Sequence, residues 1–241
     1  MTISFVAAAA GEDVGTGGQV AIPSAVAAGH RLLAIVETNA NSGQSHGTPP
    51  GWILVATSQG SADGGSQFAS LFTKVANADD HDSVVDFPVS PTGTKDPVAV
   101  VAYAGSVTTP VIAASGVLAH TGVAATSIDV PIINVPEVPA TLVAAASKKG
   151  GTVEISMTQP ASFTFRVKAF ATGGGACACA FADGAAGGTG NTSVADWATD
   201  ASSANATSFL VALTEGTPPP LIAPVFRRLI DADTGEWFPA L

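Results

Sequence analysis

Apolar runs in this chain are short, and glycine or proline stops most of them. Leu32–Val36, Val98–Ala102 and Leu142–Ala146 are typical. Such runs have the length of strands, whereas a helix needs about 10–12 residues of sustained period. The 26 glycines and 16 prolines leave little room for that. Strands recurring about every 10–15 residues between turn residues point to a sandwich and away from a helical bundle. The expected fold is all-β over residues 1–216, a two-sheet antiparallel sandwich with jelly-roll-like topology.

Two kinds of strand are predicted. Leu32–Val36 is apolar throughout, as a strand covered on both faces would be. Phe163–Phe170 alternates: Phe163, Phe165, Val167 and Ala169 fall on one side, with Thr164, Arg166, Lys168 and Phe170 on the other. Leu142–Ala146 is alanine-rich, and alanine is the best helix former. Pro139 and Gly150 flank it, however, and a strand is the better reading. Pro49-Pro50-Gly51 stops the chain before Trp52, and Tyr103 ends a later apolar run. Both aromatics are expected in the core.

Net charge is −10, with only nine lysines and arginines. A phosphate backbone or an anionic lipid surface repels such a chain, so neither nucleic acid nor membrane is expected as a partner. No run of about 18 apolar residues is present to form a transmembrane helix. The first residues lack the basic start of a secretory signal and read as a first strand, so synthesis in a cytoplasm without general export is expected.

Chemistry-bearing patterns are sparse. His30, His46, His81 and His120 lack ligand spacing, and each is expected in a loop or at the surface. Asp79, Asp80 and Asp82 around His81 lack the order of a calcium loop and read as a solvated turn. Cys177 and Cys179 share a strand face, about 6.6 Å apart at ~3.3 Å per residue, near the limit for a disulfide. Buried thiols, a bridge between subunits and a metal site all remain open for them. Glu37 ends a strand and is a candidate to enter a cleft. No nucleophile elbow or phosphate loop occurs. No catalytic residue, metal ligand or cofactor is assigned, and the chain is not expected to be an enzyme.

The end of the chain differs. Thr217-Pro218-Pro219-Pro220 reads as a semi-rigid linker. Beyond it, Asp233-Thr234-Gly235 suggests a hairpin turn between Phe226–Ile230 and Glu236–Phe238. A lone hairpin is marginally stable in water. With Phe226, Leu229, Ile230, Trp237 and Phe238 on it, residues 217–241 are expected to be an assembly arm docked on another subunit. Trp197 is the candidate for stacking on a glycan.

The ordered motifs resemble a known family. Val20-Ala21-Ile22-Pro23, Ala28–Ala34, Pro50-Gly51-Trp52, Leu71–Ala76 and Ala99–Gly105 follow one another here. Ala180–Gly188 and Ser208–Leu213 follow later. The series is similar to the jelly-roll virion proteins of tailed bacteriophages, especially minor tail proteins of phages of actinobacteria. His30 stands where that family usually has an acidic residue. The resemblance spans about residues 2–214 and rests on packing motifs. It implies a structural virion protein, oligomeric with a trimer favoured, that has other virion proteins as partners and resides in the virion. A tail-tip or fibre subunit is the first expectation within that class and a capsid decoration protein the second. A carbohydrate-binding module contacting a host surface glycan is the alternative from another class.

Overall fold

The computed structural model describes residues 2–13, 17–40, 45–62, 65–90, 95–120, 125–150, 154–172, 175–203, 205–216, 228–230 and 237–239. Among these residues the chain is all-β, as expected, with antiparallel pairing throughout. Eight strands precede Ser106: β1 (Ile3–Asp13), β2 (Gly17–Ala21), β3 (Arg31–Ala40), β4 (Ser45–His46), β5 (Ile53–Ala62), β6 (Gly65–Val75), β7 (Val84–Ser90) and β8 (Val98–Gly105). Ten more follow in the body: β9 (Pro110–His120), β10 (Ala125–Ile128), β11 (Asn134–Val135), β12 (Thr141–Lys149), β13 (Met157–Thr158), β14 (Thr164–Ala171), β15 (Cys177–Ala185), β16 (Gly190–Asn191), β17 (Trp197–Ser203) and β18 (Ala206–Glu215). A hairpin, β19 (Arg228–Ile230) and β20 (Trp237–Pro239), lies beyond them.

The strand order holds a jelly roll twice. In the first unit β1-β8-β3-β6 run side by side, and β2-β7-β4 form the second layer. In the second unit β9-β18-β12-β15 do the same, with β10-β17-β13 as the second layer. In each unit the fifth major strand, β5 or β14, extends the first layer beyond β6 or β15. The first unit is one eight-stranded sheet, because β2 pairs with both β1 and β7 and the sheet curls over. The second is split into a five-stranded sheet, a separate three-stranded one and the short β11–β16 pair.

Register repeats as closely as order. Arg31 faces Val75 and Tyr103, while Thr141 faces Ala185 and Leu213, so these pairs are related by one displacement along the chain. The bulges repeat too. Val55 is skipped between β5 and β6, and Arg166 at the same place between β14 and β15. Val6 is skipped against β8, and Ala113 against β18. Even the turn into the fifth major strand recurs. Trp52 N donates to Pro49 O, and Phe163 N to Pro160 O, each at 3.1 Å. Gly51 and Ser162 occupy that turn with φ of 77° and 70°.

Three cores follow from this stacking. The central one lies between the two first layers and joins Leu33, Ile35, Leu71 and Val101 to Val143, Phe181, Phe209 and Val211. A second lies under the curl of the first unit, around Leu32, Phe72, Trp52 and Phe87. The third lies under the small sheet of the second unit, around Leu142, Leu210, Met157 and Trp197. Strands β3, β8, β12, β15 and β18 are therefore covered on both faces, which explains their unbroken apolar runs. Continuous runs of this kind are more familiar in parallel sheets. Here they come from antiparallel sheets stacked in four layers.

One pattern fails for a local reason. Alternation over Phe163–Phe170 predicts a single inward face. The bulge at Arg166 shifts the phase, as an extra residue must. Phe163 packs on the third core, Val167 and Ala169 on the central one, and Phe165 remains 37% exposed.

Candidate functional site

Trp197 opens β17 and is 0% exposed, in the third core with Met157 and Leu210. Its ring offers no face to a sugar, which removes the expected glycan contact at this residue. It occupies the position that Phe87 holds in the first unit. Trp52 and Tyr103 are buried as expected.

Glu37 also departs from expectation. It lies within β3, fully buried, and its Oε2 accepts from Lys148 N at 3.1 Å. Burial pushes its carboxyl well above the usual range, against the pull of that bond and of Lys149. It enters no cleft. Cys177 and Cys179 are free and buried, with their thiols directed at the carbonyls of Lys95 and Pro97. Burial raises both thiols, with Glu37 adding to the effect, so they are inert packing groups. The Asp79–Asp82 segment is a turn, tied by Asp80 to Lys74 Nζ at 2.6 Å and to Asn77 N.

His46 is the histidine that spacing misplaced. It is buried and bonded at both ring nitrogens. Thr38 Oγ1 donates to Asp96 Oδ1 at 2.6 Å. That leaves His46 Nε2–H to donate to Thr38 Oγ1 at 2.7 Å, and Nδ1 to accept from Ser70 Oγ at 2.8 Å. Thr57 Oγ1 completes the chain at 3.1 Å from Ser70 Oγ. Burial lowers the imidazole to about 3, so it is neutral at ordinary pH. The second unit fills the matching positions with Met157, Ala180 and Ala206 in place of His46, Ser70 and Asp96. Only the topology reveals that relation.

A second polar cluster joins the units. Tyr103 Oη donates to Asp183 Oδ2 at 2.9 Å across the central core. Arg166, the bulged residue, pairs with Asp183 at 2.8 Å and lays its guanidinium 4.1 Å from the centroid of the Phe5 ring. The matching positions are Leu213, Thr73, Val55 and Ile112, which are mostly apolar.

The surface holds an open cleft of about 390 Å³ where β1 and β2 of the first unit meet β14 of the second. Glu12, Gln19, Lys168 and Phe170 line it. Gln19 Nε2 donates to Asp86 Oδ1 at 2.6 Å, and Lys168 Nζ is paired with Glu154 and bonded to Ile155 O. No group of three metal-ligating side chains occurs among the described residues.

Of the expected assembly arm, Leu229 and Ile230 lie in β19 and Trp237 and Phe238 in β20, with Leu229 opposite Phe238 and Ile230 opposite Trp237. Phe226 and the linker 217–220 lie outside the described residues. The hairpin forms its own two-stranded sheet and extends none of the sheets of the body. No helix among the described residues is long and apolar enough to cross a membrane. No family model, curated protein or solved structure matches the chain.

Proposed function

We propose that this chain is a non-enzymatic structural component of a tailed-phage virion. It serves as a minor tail, tail-tip or fibre subunit that assembles through its sandwich and its C-terminal arm. The observation that carries the reading is the tandem of two jelly rolls followed by a hairpin outside both. Jelly rolls are a recurrent architecture of viral shells and of lectins, so the fold fits a virion role by analogy. The hairpin supplies the means of assembly, since an isolated two-stranded hairpin requires a partner surface for stability. The sequence motifs, which resemble minor tail proteins of phages of actinobacteria, point the same way.

Deleting residues 217–241 tests this. The truncated chain is expected to melt as the full chain does and to be missing from purified particles. Truncated protein present in particles at full occupancy would refute the arm, and a full-length chain absent from particles would refute the virion role.

A further inference from the structure

We propose that the cleft between β1, β2 and β14 binds an uncharged or amino-substituted saccharide. The cleft volume of about 390 Å³ lies within the ~300–1,000 Å³ usual for small-ligand sites. Its make-up is that of a sugar subsite: an aromatic face, a small apolar floor and polar groups from more than one element. Phe170 is 43% exposed and supplies the aromatic face. Lys168 Nζ stands 5.4 Å from the centroid of that ring and is held there by Glu154 and Ile155 O. Gln19 is fixed by Asp86, and Glu12 stands exposed beside it.

A pyranose has one face of C–H groups and a rim of hydroxyls. The C–H face covers Phe170, replacing water on an exposed ring. The hydroxyls meet the Glu12 carboxylate and the Gln19 amide, both of which suit donors and acceptors on a polyol. Charge sets the class. Glu12 lines the cleft, Asp86 holds its Gln19, and Lys168, the one cation among its lining residues, is already paired with Glu154. A uronic or phosphorylated sugar is repelled there, and an amine is tolerated or favoured.

The molecule contains its own control. The matching corner, between β9 and β5, has Ala119 for Glu12, Asp129 for Gln19, Thr57 for Lys168 and Gln59 for Phe170. Two units of one topology therefore differ at this corner by the aromatic face and the cation beside it. The fold does not require them. The cleft lies on the body, so this proposal stands or falls separately from the arm.

The test is titration of the full-length protein with tetrasaccharides of glucose, of N-acetylglucosamine and of glucosamine, with tetragalacturonate as the acidic probe. Saturable binding of at least one of the first three, at least tenfold tighter than tetragalacturonate, is expected. Phe170→Ala should weaken it tenfold or more with an unchanged circular dichroism spectrum, while Phe170→Trp and Gln59→Ala should keep it. Glu12→Gln should narrow the gap between neutral and acidic probes. Absence of saturable binding to all three, preference for tetragalacturonate, or unchanged binding by Phe170→Ala would each overturn the proposal.

Discussion

The two jelly rolls share strand order, register and bulges, yet they fill several matching positions with different chemistry. At one end of the first unit, Ser70, His46, Thr38 and Asp96 form a buried hydrogen-bonded chain. The second unit fills matching positions with Ala180, Met157 and Ala206, and with the buried Lys148 at the place of Thr38. Across the central core, Tyr103, Asp183 and Arg166 form a polar tie where the opposing corner has Leu213, Thr73 and Val55. The fold therefore accepts apolar residues at most of these places, and a buried polar network often contributes little net stability against good apolar packing.

The difference bears on which strands can pair. Strands of equal length, register and apolar content can exchange between tandem units during folding. Placing β6 where β15 belongs would set Ser70 opposite Ala146 and strip His46 of its partner. An unpaired buried polar group costs about 1–3 kcal/mol. Each such mismatch would disfavour the swapped pairing.

Large-to-small changes test the equivalence most strongly. Trp197→Ala and Phe87→Ala remove matching side chains from matching cores, and each is expected to cost about 3–5 kcal/mol in urea denaturation. A cost under 1 kcal/mol for either would mean that the two covers are not equivalent.

Acid sharpens the contrast next. His46 sits near 3 in the folded chain against about 6.5 when unfolded. A lowered histidine gives its full stabilisation above 6.5 and loses it as pH falls toward 3. Wild type should therefore lose about 2–3 kcal/mol more than His46→Met between pH 7 and 4.5. Glu37, raised by burial, acts in the opposite direction over part of that range, but equally in both proteins, so the difference isolates His46. Parallel pH profiles would contradict a buried neutral imidazole.

The smallest effect concerns the repeated turn. Gly51 and Ser162 both have positive φ, which costs a residue with a Cβ about 1 kcal/mol. Ser162→Gly should stabilise by about that amount and Gly51→Ser should destabilise similarly, with thermal melts moving in opposite directions. Shifts of the same sign would show that the turns differ.

Much of the fold was legible in residue patterns. Gly51, Pro49 and the length of runs such as Leu32–Val36 are local signals, and they gave strands, turns and two-sided burial. The duplication was hidden because matching positions share size and burial more than residue type, as Leu71 with Phe181 or Trp52 with Phe163 illustrate. Trp197 carries no local signal of burial, because Val194, Asp196 and Thr199 show no clear alternation. Only its place opposite β10, in the role of Phe87, explains why it is buried. His46 looked like a loop residue because its partners Ser70 and Asp96 are remote in sequence. The cleft is remote in the same way, assembled from Glu12, Gln19 and Phe170.

The most direct test of the virion assignment is high-resolution imaging of the assembled particle. It should show two stacked jelly rolls per copy in the tail, with the β19–β20 hairpin seated on a neighbouring subunit. Particles that lack this chain, or copies whose hairpin touches only its own body, would contradict it.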